Sequence, residues 1–251
     1  MTDATGTAVP VSQGTFAGQR VVVVGGGARL GRALVQAVSE AGAEVVVAGR
    51  YRERIEAAAA AIGPSASARV VDFADLASVD AFAGQLGAFD HLVSTVSMHA
   101  AGPLRSLEMS VITRAFDAKV LSPLRLVQQT ADLVRDGGSY TFFSGQAAWR
   151  PGAGAVVTAT VNGALAFMVQ ALAVELAPVR VNAIAPGVVD SGNLDALGEQ
   201  RKQEIVRTAS ERNPVRRIGR PGDVVSATMM VMANGYMTGT VVHVNGGGTL
   251  V

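Results

Sequence analysis

The feature that most constrains the fold is the all-valine run Val21–Val24, which ends in Gly25-Gly26-Gly27 and passes straight into a segment of helical periodicity. A continuous β-branched run of this kind fits a parallel strand buried on both faces. Leu30, Leu34, Ala37, Val38 and Ala41 then recur at helical spacing, Gly42 ends the pattern, and a second apolar run follows at Val45–Ala48. Strand, helix and strand in this order make a βαβ unit of about 30 residues. Its strands need cover on both sides, so the chain is committed to a layered α/β architecture.

The alternation continues through Ile55–Ile62 (helix), Ala68–Val71 (strand), Val79–Leu86 (helix) and Phe89–Val93 (strand). A long helical stretch, Val111–Val134, leads to a strand at Ser139–Phe143; a helix at Ala164–Leu176 leads to a strand at Val179–Ile184. A helix at Val224–Met232 and a strand at Thr240–Val244 close the chain. Strict alternation predicts a Rossmann-type, doubly wound parallel sheet. With 49% hydrophobic residues in a chain of 251, one large core and a single domain over residues 18–251 are expected, preceded by a flexible tail at 1–17. The polar segment Gly192–Arg217 reads either as a lid over the ligand crevice or as a solvated helix pair.

Composition narrows the partners. Lys plus Arg number 21 against 20 Asp plus Glu, so no charge excess points to nucleic acid or an anionic membrane. No run reads as a membrane span, and a small molecule is the expected partner. Cysteine is absent, which excludes disulfides and thiolate chemistry and suits a cytoplasmic setting. His91, His99 and His243 alone offer little for zinc, and no metal is expected.

A glycine-rich turn between a strand and a helix aims backbone N–H groups and the positive helix end at a pyrophosphate. Here it comprises Gly25, Gly26, Gly27, Ala28, Arg29, Leu30 and Gly31. After the second strand, Ala48-Gly49-Arg50 stands where an acidic residue would hold a ribose 2′-hydroxyl. Arg50, with Arg29, can instead make charge-assisted bonds to a 2′-phosphate, which selects NADP(H). The plainer alternative is that Arg50, Arg52 and Arg54 solvate a helix start.

From about Gly18 to Leu250 these segments resemble the short-chain dehydrogenase/reductase family. Val71-Asp72-Phe73 looks like that family's adenine contact, and Arg180-Val181-Asn182-Ala183-Ile184-Ala185-Pro186-Gly187 its strand and nicotinamide-side turn. The resemblance places Pro186, Gly187, Val188 and Ser191 against the nicotinamide end of the cofactor. Gly219–Val224 and Thr238–Gly247 match its C-terminal pattern. It further implies a homotetramer or homodimer built through the long helices and the last strand.

Members of the family carry a Ser, a Tyr-x-x-x-Lys and an upstream Asn; the Tyr donates a proton while the cofactor delivers hydride. In this sequence the corresponding positions hold Gly145 beside Ser144, Thr158, Asn162 and Lys119. The tyrosines, Tyr51, Tyr140 and Tyr236, fall elsewhere. Lys119, with its pKa lowered by burial, His99, of a residue type that titrates near neutrality, or an ordered water is the expected replacement proton donor. Ser144, Gln146, Thr158 and Asn162 are expected to orient substrate or water. Against these roles stand a snorkelling Lys119, an exposed loop His99 and a Thr158 that merely caps its helix. Trp149 suits either an apolar pocket or subunit packing. The expected function is NADPH-dependent hydride transfer to a small apolar carbonyl, imine or activated alkene. The alternatives are a non-redox isomerase or cyclase on the same platform, or a catalytically silent protein that keeps NADP(H) only structurally.

Overall fold

The computed structural model describes residues 13–98 and 100–251. Strands β1 (Arg20–Val24), β2 (Glu44–Gly49), β3 (Ala66–Val70), β4 (Phe89–Ser94), β5 (Val134–Phe143), β6 (Arg180–Pro186) and β7 (Val241–Val244) form one sheet in the order β3-β2-β1-β4-β5-β6-β7. Every neighbouring pair is parallel, with Val21–Val24 matched to Val45–Ala48 on one side and to His91–Ser94 on the other. This is the doubly wound arrangement that the alternating pattern predicts.

Side chains of a strand alternate between faces, so the valine run feeds two cores at once. Val22 and Val24 pack with α3 (Leu76–Ala83), α5 (Ser122–Thr130) and α6 (Val156–Glu175), through Phe82, Leu126, Leu165 and Val169. Val21 and Val23 pack with α1 (Arg29–Glu40), α2 (Arg52–Ile62) and α8 (Pro221–Ala233), through Leu34, Val38, Ile55 and Val231. Burying each such side chain is worth roughly 1.5–3 kcal/mol, which explains why the apolar run has no polar residue on either face. Arg180, at the start of β6, donates to the carbonyls of Val231 (2.9 Å) and Met232 (2.7 Å) and so closes the C-terminal end of α8.

Several boundaries differ from the sequence expectation. The stretch Val111–Val134 is not one helix: α4 (Met109–Phe116) runs into a π turn at Asp117–Leu121, then α5, and β5 already begins at Val134. Pro123 is the cause, because it lacks the N–H that would bond back one turn; the Ser122 N–H reaches the Asp117 carbonyl instead. The helix expected from Ala164 starts at Val156. At 20 residues it is long and apolar enough to cross a membrane, contrary to the reading that no such segment exists. Here Leu165, Val169 and Leu172 lie against the sheet. Phe16, placed by sequence in the flexible tail, is 1% exposed, and its N–H donates to the Ala41 carbonyl. The tail residues 1–12 lie outside the described residues. Within 192–217, α7 (Glu199–Arg212) carries most of the polar sequence.

Strand order reverses at β1, whose neighbours β2 and β4 continue the chain on opposite sides. The loops after β1 and β4 diverge there and open a crevice at the carboxyl ends of the strands.

Candidate functional site

The crevice is a cleft of about 420 Å³ whose walls include Gly25, Gly27, Arg29, Leu30, Gly31 and Thr95. Gly25 has φ +89°, a conformation that side chains disfavour, and a Cβ on Gly31 would strike the Gly25 carbonyl. Backbone therefore packs against backbone at the turn. Ala28, the N-cap of α1, offers no side-chain cap, and the first turn holds no acidic residue. The N–H groups at this helix start thus face the cleft without a carboxylate to neutralise them, as an anionic phosphate requires.

Arg50, Asp72, Phe73 and Ser191 line the same cleft. Arg50 donates to the Tyr51 hydroxyl, and the guanidinium groups of Arg50 and Arg54 lie 4.6 and 4.8 Å from the Tyr51 ring centre. The two guanidiniums, gathered on one aromatic ring just after β2, form a cationic pole in the cleft wall. The Asp72 carboxylate accepts from the Ala74 N–H at 3.0 Å, which fixes the turn after β3. Phe73 is buried, packs into the core, and its carbonyl accepts from the Ser122 hydroxyl at 2.8 Å. Pro186, Gly187 and Val188 are not brought to this wall. They end β6 beside Gln146 and Asn245, where a Cβ on Gly187 would stand 2.8 Å from Gln146 Oε1.

Three of the expected catalytic residues, Lys119, Ser144 and Asn162, are brought to the end of β5. Lys119, in the π turn, is 5% exposed and donates to the Phe143 carbonyl. It does not snorkel to solvent. Burial pushes its ammonium down from 10.5 to about 8. Ser144 follows Phe143, and its hydroxyl donates to the Asn162 carbonyl at 2.9 Å. Asn162 is buried, and its Oδ1 has no protein partner among the described residues. Its Nδ2 would lie 3.0 Å from a Cβ on Gly145, so the missing side chain at 145 makes room for Asn162. Thr158 sits inside α6, two residues past its first, and donates to the Ala100 carbonyl at 3.2 Å; the helix cap is Ala155. His99 lies outside the described residues. Tyr140 is buried in the sheet with its hydroxyl on Thr130 at 2.8 Å, and burial raises its pKa to about 12; Tyr236 is 99% exposed. Neither is at the cluster.

Sequence reasoning missed Thr95, whose hydroxyl donates to the Val24 carbonyl at 3.2 Å and braces the two cleft loops. It also missed Arg54 as a cleft residue, although its spacing of one helical turn from Arg50 was a usable signal. Asn193, which joins Ser191 on the cleft wall, carried no local signal.

Comparisons with known proteins bear on the family and the fold. A family profile described as "Enoyl-(Acyl carrier protein) reductase" matches residues 27–249. The short-chain dehydrogenase/reductase ATR9 of Stachybotrys chlorohalonatus is 29% identical, over 94% of this chain and 99% of its own length. A small-chain dehydrogenase crystallised with NADPH is 28% identical, covers 93% of this chain and 99% of its own, and superposes with a TM-score of 0.79. MalC reductase/Diels-Alderase from Malbranchea aurantiaca, 25% identical, covers 94% and 98% with a TM-score of 0.86. By the profile match over residues 27–249 and the likeness to these relatives, the chain belongs to the short-chain dehydrogenase/reductase family of oxidoreductases.

Proposed function

We propose that this protein is an NADPH-dependent reductase of a carbonyl, imine or activated alkene with an apolar body, and that Lys119 replaces the usual tyrosine as proton donor. The observation that carries the reading is the buried Lys119 ammonium at the end of β5, brought near neutrality by its surroundings. When bound, NADPH supplies the hydride. The Gly25–Gly31 turn and the start of α1 hold its pyrophosphate, and Arg29, Arg50 and Arg54 favour the 2′-phosphate. Lys119 holds a proton at Nζ, oriented by the Phe143 carbonyl, and gives it to the oxygen, nitrogen or carbon left electron-rich by hydride addition. The Ser144 hydroxyl, donating to the Asn162 carbonyl, holds Asn162 in place, and the unpartnered Asn162 Oδ1 accepts from a substrate or water donor. Stereospecifically deuterated NADPH, offered with ketones, imines and enones, is expected to leave deuterium in a product. No transfer to any of them would refute the assignment.

Arg50→Ala is expected to weaken NADPH binding by about tenfold or more while NADH binding barely changes, because only the 2′-phosphate loses a charge-assisted partner. Fluorescence titration with both nucleotides reads this directly. Equal losses would show that Arg50 serves the helix and not the phosphate.

A second reading is non-redox turnover, an isomerisation or cyclisation with NADP(H) retained as structure. It is supported by the likeness to a protein described as both reductase and Diels-Alderase. Product formation without loss of reduced-nicotinamide absorbance would select it.

The subunit contact we propose lies on α6, where Phe167 and Val174 are 73% and 82% exposed on one helical face. Light scattering is expected to give a dimer or tetramer, and Phe167→Asp a smaller species. A monomeric parent protein would refute this.

A further inference from the structure

A second cleft, of about 490 Å³, lies between α7 and the segment after β5. Pro151, Val188 and Ile205 give it apolar walls, and Arg150, Arg201 and Arg212 bring three guanidiniums to it. Glu204, also in the wall, pairs with Arg201. Arg150 donates to the Gly248 carbonyl at 2.9 Å, which orients the group and leaves its charge intact. Arg212 has no ion pair or side-chain hydrogen bond among the described residues. Two cations are therefore uncompensated in a cleft whose remaining walls are partly apolar. The cleft begins at Val188 and Gln146, and Gln146 Oε1 fills the space where a Cβ on Gly187 would lie. It is thus continuous with the end of β6, one strand from Ser144 and Lys119.

We infer that this cleft receives the oxyanion end of the substrate, a carboxylate or a phosphate, gripped between Arg150 and Arg212 while the apolar body lies on Pro151, Val188 and Ile205. The inference rests on the reductase reading for what happens at the other end of that substrate. It sharpens the sequence expectation of an apolar substrate: the body is apolar and the tail is charged. Guanidinium forks suit this role because they bind planar oxyanions through paired N–H donors. The placement on α7 also gives the segment 192–217 a task, since its helix supplies half of the anion grip.

The test is calorimetric titration of the NADP-loaded protein, and of the protein alone, with phenylpyruvate, its methyl ester and phenyl phosphate. Binding of the acid about tenfold or more tighter than the ester is expected. Arg212→Gln and Arg150→Gln should each remove most of that preference and leave the ester unchanged. Arg207→Gln, on the same helix but paired with Glu211, should not. Tighter binding of phenyl phosphate than of phenylpyruvate would identify the tail as a phosphate. Equal affinity for acid and ester, or equal loss of both in the arginine variants, would overturn the inference. Acid preference without deuterium transfer to any substrate would keep the anion grip and refute the reductase. Deuterium transfer without acid preference would do the reverse.

Discussion

Lys119→Met is expected to slow hydride transfer by about 10²- to 10⁴-fold and, at the same time, to make the protein more stable at neutral pH. The rate loss follows from removing the ammonium that the structure places on the Phe143 carbonyl at the end of β5, next to Ser144. The stability gain follows from burial. In the folded protein the Lys119 ammonium releases its proton near pH 8, against 10.5 when unperturbed. Between those values the unfolded chain binds more protons, so stability rises as pH climbs through the window, and the full cost is present below about pH 8. That cost is roughly 3 kcal/mol at most; after loss of the bond to the Phe143 carbonyl, a net gain of about 1–2 kcal/mol remains for methionine. Melting curves at pH 7 and pH 10 should show the variant ahead at the first and level at the second. In the parent enzyme the reductive rate should fall above about pH 8 as Nζ loses its proton, and this limb should vanish in the variant. An unchanged rate would remove Lys119 from the chemistry.

Gly31→Val is expected to destabilise the fold by about 3 kcal/mol and to lower NADPH affinity by at least about a hundredfold. A Cβ at this position meets the Gly25 carbonyl and, at 2.9 Å, Thr95 Oγ1. The first obstacle is backbone, so no rotamer change relieves it. Either α1 moves away from β1 or the turn opens, and both displace the N–H groups that face the phosphates. Gly222→Ala supplies the contrast. Nothing lies within 4 Å of a Cβ there, and the residue is helical in α8. A gain of about 0.5–1 kcal/mol is expected from the lower entropy of the unfolded chain. Thermal melts of the two variants, with and without NADPH, read both effects. A Gly31→Val protein with parental affinity would show that the turn does not hold the phosphates.

The fold was legible because its signals are local. A β-branched run, a glycine turn and a helical repeat each declare themselves within a dozen or so residues, and their alternation leaves few topologies. The position of the phosphate turn needed nothing more than its place between Val24 and Leu34. Even the failure at Val111–Val134 had a local signal, since Pro123 cannot continue an α-helix unbroken. The buried Phe16 shows the opposite case: a lone aromatic in a polar segment gives no sign that Ala41 will be waiting for it.

By itself the sequence determined the α/β architecture, the crevice at the end of β1 and the cationic residues after β2. All of these depend on residues adjacent in the chain or spaced by a strand or helix period. Only the tertiary structure decided that Lys119 is buried and not snorkelled, that Asn162 occupies the space beside Gly145, and that Arg150 and Arg212 meet across one cleft. The physical reason is common to the three. Desolvation, steric exclusion and the summing of charge depend on which distant segments pack together, and no local pattern records that.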